Sequence, residues 1–520
     1  MDKSLQPLSN EQSIVALKCF IQATRDSGYK GTVSAIAELV DNALQAKAKH
    51  IDIFITQPDR EVTPGTLEVI VLDDGIGMGK SELKNALRFG GSSRFNDRSG
   101  LGRYGMGLPN ASLSQSRRVE VWSWKNKLKA LHSYLDVDEV IAGSQSSIKV
   151  SRPSKLRHNR VNHVSDSGTL IHWTKCDRLD FMRVSTIQRN LAQTLGRMFR
   201  HFLWAGVKIR INSDAIQGRD PLHLHANGTL GSASLFSSPT ELEIRSNFDD
   251  IQNTKLGIVR IKFSELPISK WQSLSNMEKR KMGITNGAGV SVVRKGREID
   301  YGWFFMGKRK ENYDDWWRCE IQFDPVLDDI FGITHTKQQI RPHPELRELL
   351  EGHLGPIANA LNSRARDKHR AEKFNSHSSA SETHARKVDH HLKQVNRPSG
   401  RLSPREKQFL STVHATIGPP PSSSGEVEYR IIDGEPSDSA FFTPVVEDGR
   451  ITILINRQHS FYKSYYGPLM SGNLPPDKAV FLLQLMLIGA GRAELQSSSR
   501  NKTSIVKFRD EWSKNLATYL

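Results

Sequence analysis

An α+β protein of several domains is what this sequence predicts, on three observations. A stripe of apolar residues at helical spacing, Ile36, Leu39, Val40, Ala43 and Leu44, is followed by a strand-like run at 67–72. A second group of strand-like runs lies between about residues 205 and 360, at 207–211, 256–263, 290–293 and 319–323, with a helix-like segment from Pro344. After residue 362 the composition changes, with few apolar residues and many Ser, His, Lys and Arg, ending in Gly-Pro-Pro-Pro-Ser-Ser-Ser-Gly at 418–425. A chain of 520 residues has room for about three domains.

Along the first helix, Glu38, Asp41 and Asn42 stand at i, i+3 and i+4 and so share a face. A carboxylate and a carboxamide on one helical turn can orient a water and offer a neutral oxygen to Mg2+. A solvated helix face has the same pattern.

The strand at 67–72 ends abruptly in Asp73-Asp74-Gly75-Ile76-Gly77-Met78. A carboxylate at a strand end can accept a hydrogen bond from an exocyclic amine such as that of adenine, and glycines let a base approach the backbone. Asp-Gly is equally a common turn signal.

Gly100, Gly102 and Gly105 satisfy the dinucleotide spacing G-x-G-x-x-G. That fingerprint requires a preceding buried strand, and Ser-Ser-Arg-Phe-Asn-Asp-Arg-Ser at 92–99 is polar. The run reads instead as a lid whose glycine-rich end opens a helix at 108–114, with backbone N–H groups for phosphates.

In this order and spacing the three segments resemble the GHKL superfamily, which includes the gyrase B subunit, MutL, the cytosolic ATP-dependent chaperones, sensor histidine kinases and MORC proteins. A fourth segment, Gly168-Thr169-Leu170-Ile171-His172-Trp173, resembles the family's Gly-Thr strand. The resemblance implies a Bergerat-fold α/β sandwich that uses ATP and Mg2+. By position, Glu38 would be the general base and Asn42 the Mg2+ ligand, with Asp41 in support. Asp73 would read adenine, with Gly77 and Met78 against the base and Thr169 beside Asp73. Gly102, Arg103, Tyr104, Gly105, Met106 and Gly107 would surround the phosphates.

The strand-rich region that follows resembles the transducer domain of the gyrase, MutL and MORC branch, a ribosomal-protein-like α/β domain. There a loop lysine reaches the γ-phosphate; the match here is Lys337 in Thr-His-Thr-Lys-Gln-Gln. The expected organisation is an ATPase domain at 1–204, a transducer at 205–361, a basic helical or flexible linker at 362–425, and a small mixed α/β domain at 426–520.

The three cysteines, Cys19, Cys176 and Cys319, have no paired spacing, which argues against a disulfide framework or zinc site and fits a reducing, cytoplasmic setting. No apolar signal core opens the chain, and the longest apolar run, 479–490, is too short to span a bilayer and reads as a buried helix. The formal net charge of +17 favours a polyanionic partner. The basic stretch at 362–421 reads either as an arm for nucleic-acid backbone or as a solvated linker.

A phospho-acceptor histidine segment, a gyrase-type acidic DNA-cleavage domain and the Asp-Gln-His-Ala segment of nuclease-type MutL proteins are all missing from the sequence. The runs Glu-Leu-Val-Asp-Asn-Ala-Leu-Gln-Ala-Lys-Ala (38–48) and Gly-Arg-Tyr-Gly-Met-Gly-Leu (102–108) look most like MORC and MutL-like proteins, particularly prokaryotic members of restriction or antiphage gene clusters. That resemblance implies an ATP-gated dimeric clamp on DNA, with possible nuclease, helicase or methylase partners and no membrane. The alternative is a chaperone-like or signalling ATPase that docks proteins and binds no nucleic acid.

Overall fold

In β1 (His50–Thr56), Ile51, Ile53 and Ile55 are buried and alternate with outward-facing residues, the two-residue period that seats one face of a sheet on a core. Around it are β2 (Glu68–Asp73), β3 (Ser116–Trp124), β4 (Leu131–Asp136), β5 (Gly168–Cys176), β6 (Lys208–Ile211) and β7 (Asp214–Ala215). The strand order is β4-β3-β5-β2-β1-β6-β7, antiparallel throughout except for the parallel β1–β6 pair. The computed structural model describes residues 16–29, 31–57, 67–91, 106–126, 129–154, 165–225, 231–247, 254–333, 339–389, 410–411, 413–414, 427–435, 439–447, 449–471, 476–498 and 500–518.

The helices of this region are α1 (Leu17–Ser27), α2 (Thr32–Gln45), α3 (Lys80–Ala86), α4 (Gly107–Gln115), α5 (Val137–Ala142), α6 (Val184–Met198) and α7 (Arg200–Trp204). Ile36, Leu39 and Val40 of α2, Ala111 and Leu113 of α4, and Leu191 and Leu195 of α6 share one core with Ile51, Ile53, Val71, Val119, Val121 and Trp173 of the sheet. The result is a two-layer α/β sandwich, the α+β architecture expected. Strand β6, which the sequence pattern assigns to the following domain, instead completes this sheet, because its Ile209 and Ile211 bury beside Ile51 and Ile53.

The second sheet contains β8 (Ser234–Leu235), β9 (Thr240–Arg245), β10 (Leu256–Glu265), β11 (Val290–Arg294), β12 (Arg297–Gly302) and β13 (Trp317–Phe323). Its order is β12-β11-β13-β10-β8, with β9 also on β10. Short helices α8 (Ile268–Trp271), α9 (Asn276–Met282) and α10 (Asp328–Phe331) interrupt it, and the long helix α11 (Pro344–Val388) follows. Leu346, Leu350, Leu354, Ala358 and Leu361 of α11, at three- and four-residue spacing, pack on the sheet's apolar face.

The chain divides into two compact units, Met1–Asn362 and Ser363–Leu520. The second unit holds a three-stranded sheet of β14 (Glu428–Gly434), β16 (Arg450–Asn456) and β15 (Phe442–Glu447), in that order, with helices at Pro476–Leu495 and Lys502–Thr518. Helix α11 continues to Val388, well into the stretch expected to be a basic helical or flexible linker. In the apolar run at 479–490, Gln484 is fully buried and bonds Ser381 and the Tyr466 hydroxyl. Among the described residues no helix is long and apolar enough to cross a membrane.

Candidate active site

Helix α2 carries Glu38, Asp41 and Asn42 on one turn, and the burial of these three differs. Glu38 is 4% exposed and Asp41 fully buried, whereas Asn42 is half-buried. No side chain at the helix's own N-cap satisfies its first N–H groups. Asp180, beyond β5, takes that part: its carboxylate accepts the Thr32 N–H at 2.8 Å, and its own N–H donates to the Thr32 hydroxyl at 2.9 Å. Just before the helix, the buried Tyr29 hydroxyl donates to Glu38. Burial, reinforced by the Glu38 charge, pushes the Tyr29 hydroxyl well above its usual range, so it stays a donor.

Helix α4 starts at Gly107, and a Cβ there would lie 2.1 Å from Oε1 of Glu38. Only a residue without a side chain lets the α2 carboxylate come this close to the helix start. The first turn of α4 carries the N–H groups of Gly107 and Leu108, since Pro109 has none and that of Asn110 bonds the Met106 carbonyl, and it has the positive end of the helix dipole, the environment that attracts phosphate oxygens.

At the end of β2 two adjacent acids have separate tasks. Asp74 accepts the N–H groups of Lys49 and His50, at 2.7 and 2.9 Å, and fixes the start of β1. Asp73 is buried; its Oδ1 accepts the Gly75 N–H at 2.9 Å, and it pairs in register with Thr169 of β5. Burial raises the Asp73 carboxyl to about 7, against the pull of the Gly75 and Thr169 backbone N–H groups. Ser123 of β3 ties this corner together. Its hydroxyl lies 3.0 Å from that of Thr169, bonds the Gly168 carbonyl at 3.1 Å and accepts the Met78 N–H at 2.8 Å.

Two glycines permit the packing. Gly77 has φ of +65°, and a Cβ on it would meet the Trp124 carbonyl oxygen at 2.0 Å; a Cβ on Gly168 would meet the Asp73 carbonyl oxygen at 2.2 Å. A buried acceptor at a strand end, backed by a hydroxyl pair and a backbone bared of side chains, suits a planar base with an exocyclic amine.

Residues 29–169 match the protein family described as histidine kinase-, DNA gyrase B-, and HSP90-like ATPase. Those residues are a GHKL-type ATPase domain. The chain is 32% identical over 126 residues to ATPase MORC2 of Homo sapiens, covering 23% of this chain and 12% of that protein. It is 33% identical over 115 residues to ATPase MORC2B of Mus musculus, covering 21% and 11%, and 27% identical over 129 residues to Protein MICRORCHIDIA 6 of Arabidopsis thaliana, covering 25% and 19%. The matching segment therefore spans little more than a tenth of the MORC2 proteins' length.

In the GHKL domain, Glu38 and Gly107 meet directly, Asp73 and Thr169 are register partners, and Met78 is held by the serine that also meets Thr169. Met106 is half-buried at the start of α4. Gly102, Arg103, Tyr104, Gly105 and Lys337 lie outside the described residues. Two residues of the site carry no motif of their own in the sequence: Tyr29, which precedes the helix by three positions, and Ser123, a small polar residue between Trp122 and Trp124 on a buried strand.

The residues present are compatible with a hard divalent cation: Asn42, half-buried one turn from Glu38, could supply a neutral oxygen, and among the described residues no trio of His, Cys, Asp or Glu gathers to hold a metal alone. Phosphate oxygens and water would complete such a shell, the usual manner for Mg2+.

Proposed function

We propose that this chain binds ATP and hydrolyses it slowly with Mg2+, and that it acts as an ATP-gated dimeric clamp on DNA. The contact between Glu38 and Gly107 is the observation that carries the hydrolytic part: it puts a buried carboxylate against a helix N-terminus suited to phosphate. Asp73 accepts the adenine amine, and Gly77 and Met78 line the base. Glu38 takes the proton of the attacking water, while Tyr29 orients its carboxylate. Bound Mg2+ would neutralise charge on the phosphate oxygens, with Asn42 as its protein ligand. Lys337 would contact the γ-phosphate and report its presence to the second sheet.

DNA as the clamp's cargo is supported by the net charge of +17 and the run of Arg and Lys from Arg364 to Lys407. The likeness of the 38–48 and 102–108 runs to prokaryotic MORC-like proteins supports a place in restriction or antiphage defence.

Glu38→Ala in the full chain tests the core of this reading. It should retain ATP binding, lose turnover by about 100-fold or more, and accumulate dimers. Normal turnover in that variant would remove Glu38 as the base. Salt-titrated binding of duplex DNA tests the cargo: log K should fall steeply with log salt, and a flat response or no binding would leave a protein-docking ATPase instead.

A further inference from the structure

Strand β12 belongs to the second sheet, yet its first two residues are buried among side chains of the GHKL sandwich. A two-residue turn, Lys295–Gly296, both left-handed at φ 48° and 80°, folds β11 and β12 into a tight hairpin. Arg294 fixes the other arm to α10, beside the second sheet, by a bidentate bond to Asp328 at 2.7 and 2.8 Å. From this hairpin Arg297 Nε reaches both carboxylate oxygens of Asp41, at 3.1 and 3.0 Å. Its Nη1 donates to the Glu298 carbonyl at 3.0 Å, so the guanidinium is held from both sides. Arg297 is 3% exposed and Asp41 is fully buried.

Asp41 adjoins Asn42 and lies one helical turn beyond Glu38. The charges of Asp41 and Arg297 both act on Tyr29, whose hydroxyl holds Glu38, so the four side chains form one electrostatic cluster. A buried ion pair contributes little net stability compared with an apolar pair, so stability alone does not account for one at this position. Two carboxylates on one buried helix face repel each other, and Arg297 offsets that repulsion where the base is carried.

We propose that Arg297 is a positioning residue for hydrolysis. By gripping Asp41 it fixes the rotation of α2 that presents Glu38 and Asn42, and it makes that face depend on the seating of the second sheet. The inference rests on the ATPase reading above and deepens it.

The test is steady-state turnover of Mg-ATP by the full chain, with ATP affinity measured separately. Arg297→Gln should lower kcat by about 10- to 100-fold, as loss of an orienting partner does, with affinity changed by about twofold or less. Adding Asp41→Asn, which replaces the ion pair with a neutral amide pair able to hydrogen-bond across the same gap, should restore most of kcat, and Arg297→Lys should fall between the single and double variants. Normal kcat in Arg297→Gln, a parallel loss of affinity, or a folded double variant that stays slow would each overturn the proposal. Should Arg297→Gln fail to fold, the neutral double variant decides alone, fast turnover supporting the role and slow turnover overturning it. A wild-type chain without turnover would sink the ATPase reading itself, a result distinct from any of these.

Discussion

The first residue of α4, Gly107, and the carboxylate of Glu38 on α2 occupy adjoining space, with only 2.1 Å between Oε1 and the point where a Cβ would stand. A methyl group there must displace the carboxylate or tilt the helix. Gly107→Ala is therefore expected to lower ATP turnover by about 100-fold, the scale of a displacement of about 1 Å at a reacting group. Binding of adenine nucleotide should suffer less, because Asp73 and Thr169 lie in a different part of the fold. Turnover and nucleotide affinity measured on the same preparation check this, and unchanged turnover would refute the shared space.

If Asp73 reads adenine as proposed, its carboxyl, raised by burial to about 7, should make nucleotide binding depend on pH. The adenine amine needs the ionised form as acceptor, and that form predominates above pH 7. Affinity should fall as pH drops, by about tenfold per unit once below 7. Stability without nucleotide has the opposite sign, since burial favours the protonated group: this contribution is full below the ordinary value of 3.8 and is lost as pH rises through about 7. Calorimetric titrations at pH 6 and pH 8 measure the first effect, and Asp73→Asn should flatten it.

What the sequence discloses about this site is what lies within a few consecutive residues. Glu38, Asp41 and Asn42 are legible because helical spacing alone puts them together, and Asp73 through Met78 because a strand end and its turn occupy one short run. Arg297 and Asp41 are 256 residues apart, and no local pattern announces a buried arginine as the partner of a particular acid. Strand β6 shows the same limit in the fold. Its alternation identifies a strand, but its partner is fixed by the burial of Ile209 and Ile211 against β1. That the helix expected from Pro344 runs as far as Val388 is not legible, because its later half lacks an apolar stripe, although Ser381 and Ala385 are buried in the second unit.

Gly77 has a backbone conformation that other residues adopt only with strain, and its missing Cβ faces the Trp124 carbonyl. Strain in the left-handed region costs roughly 1–3 kcal/mol, and the clash forces the turn away from β3 as well. Gly77→Ala should therefore lower stability by about 2 kcal/mol or more and break the Met78–Ser123 bond that holds the turn proposed to face the base. Denaturant melts and adenine-nucleotide titration should both show the loss. A variant of normal stability that binds ATP normally would show that the turn can adapt.

Arg200 is fully buried between two acids of the second sheet, bonded to Glu298 at 3.0 Å, to Ser291 at 2.8 Å and to Glu320. Arg197 joins from the surface, bonding Glu298 at 2.7 Å, so α6 and α7 are fastened to β11, β12 and β13 through charge. Removing the central cation leaves two buried carboxylates short of a partner, and Arg200→Met should cost about 3–5 kcal/mol. The same network sets an acid limit. Burial alone would raise the Glu320 carboxyl, but His201 and Arg200 outweigh it and hold the group at about 2. A depressed carboxylate contributes stability above its ordinary value of 4.5, and that contribution is lost as pH falls from there through about 2. Melts of the wild type should show a drop across this window, on the order of 3 kcal/mol from this group, and Glu320→Gln should be less stable at neutral pH yet show a shallower drop. An equally steep acid profile in Glu320→Gln would assign the transition to other carboxylates.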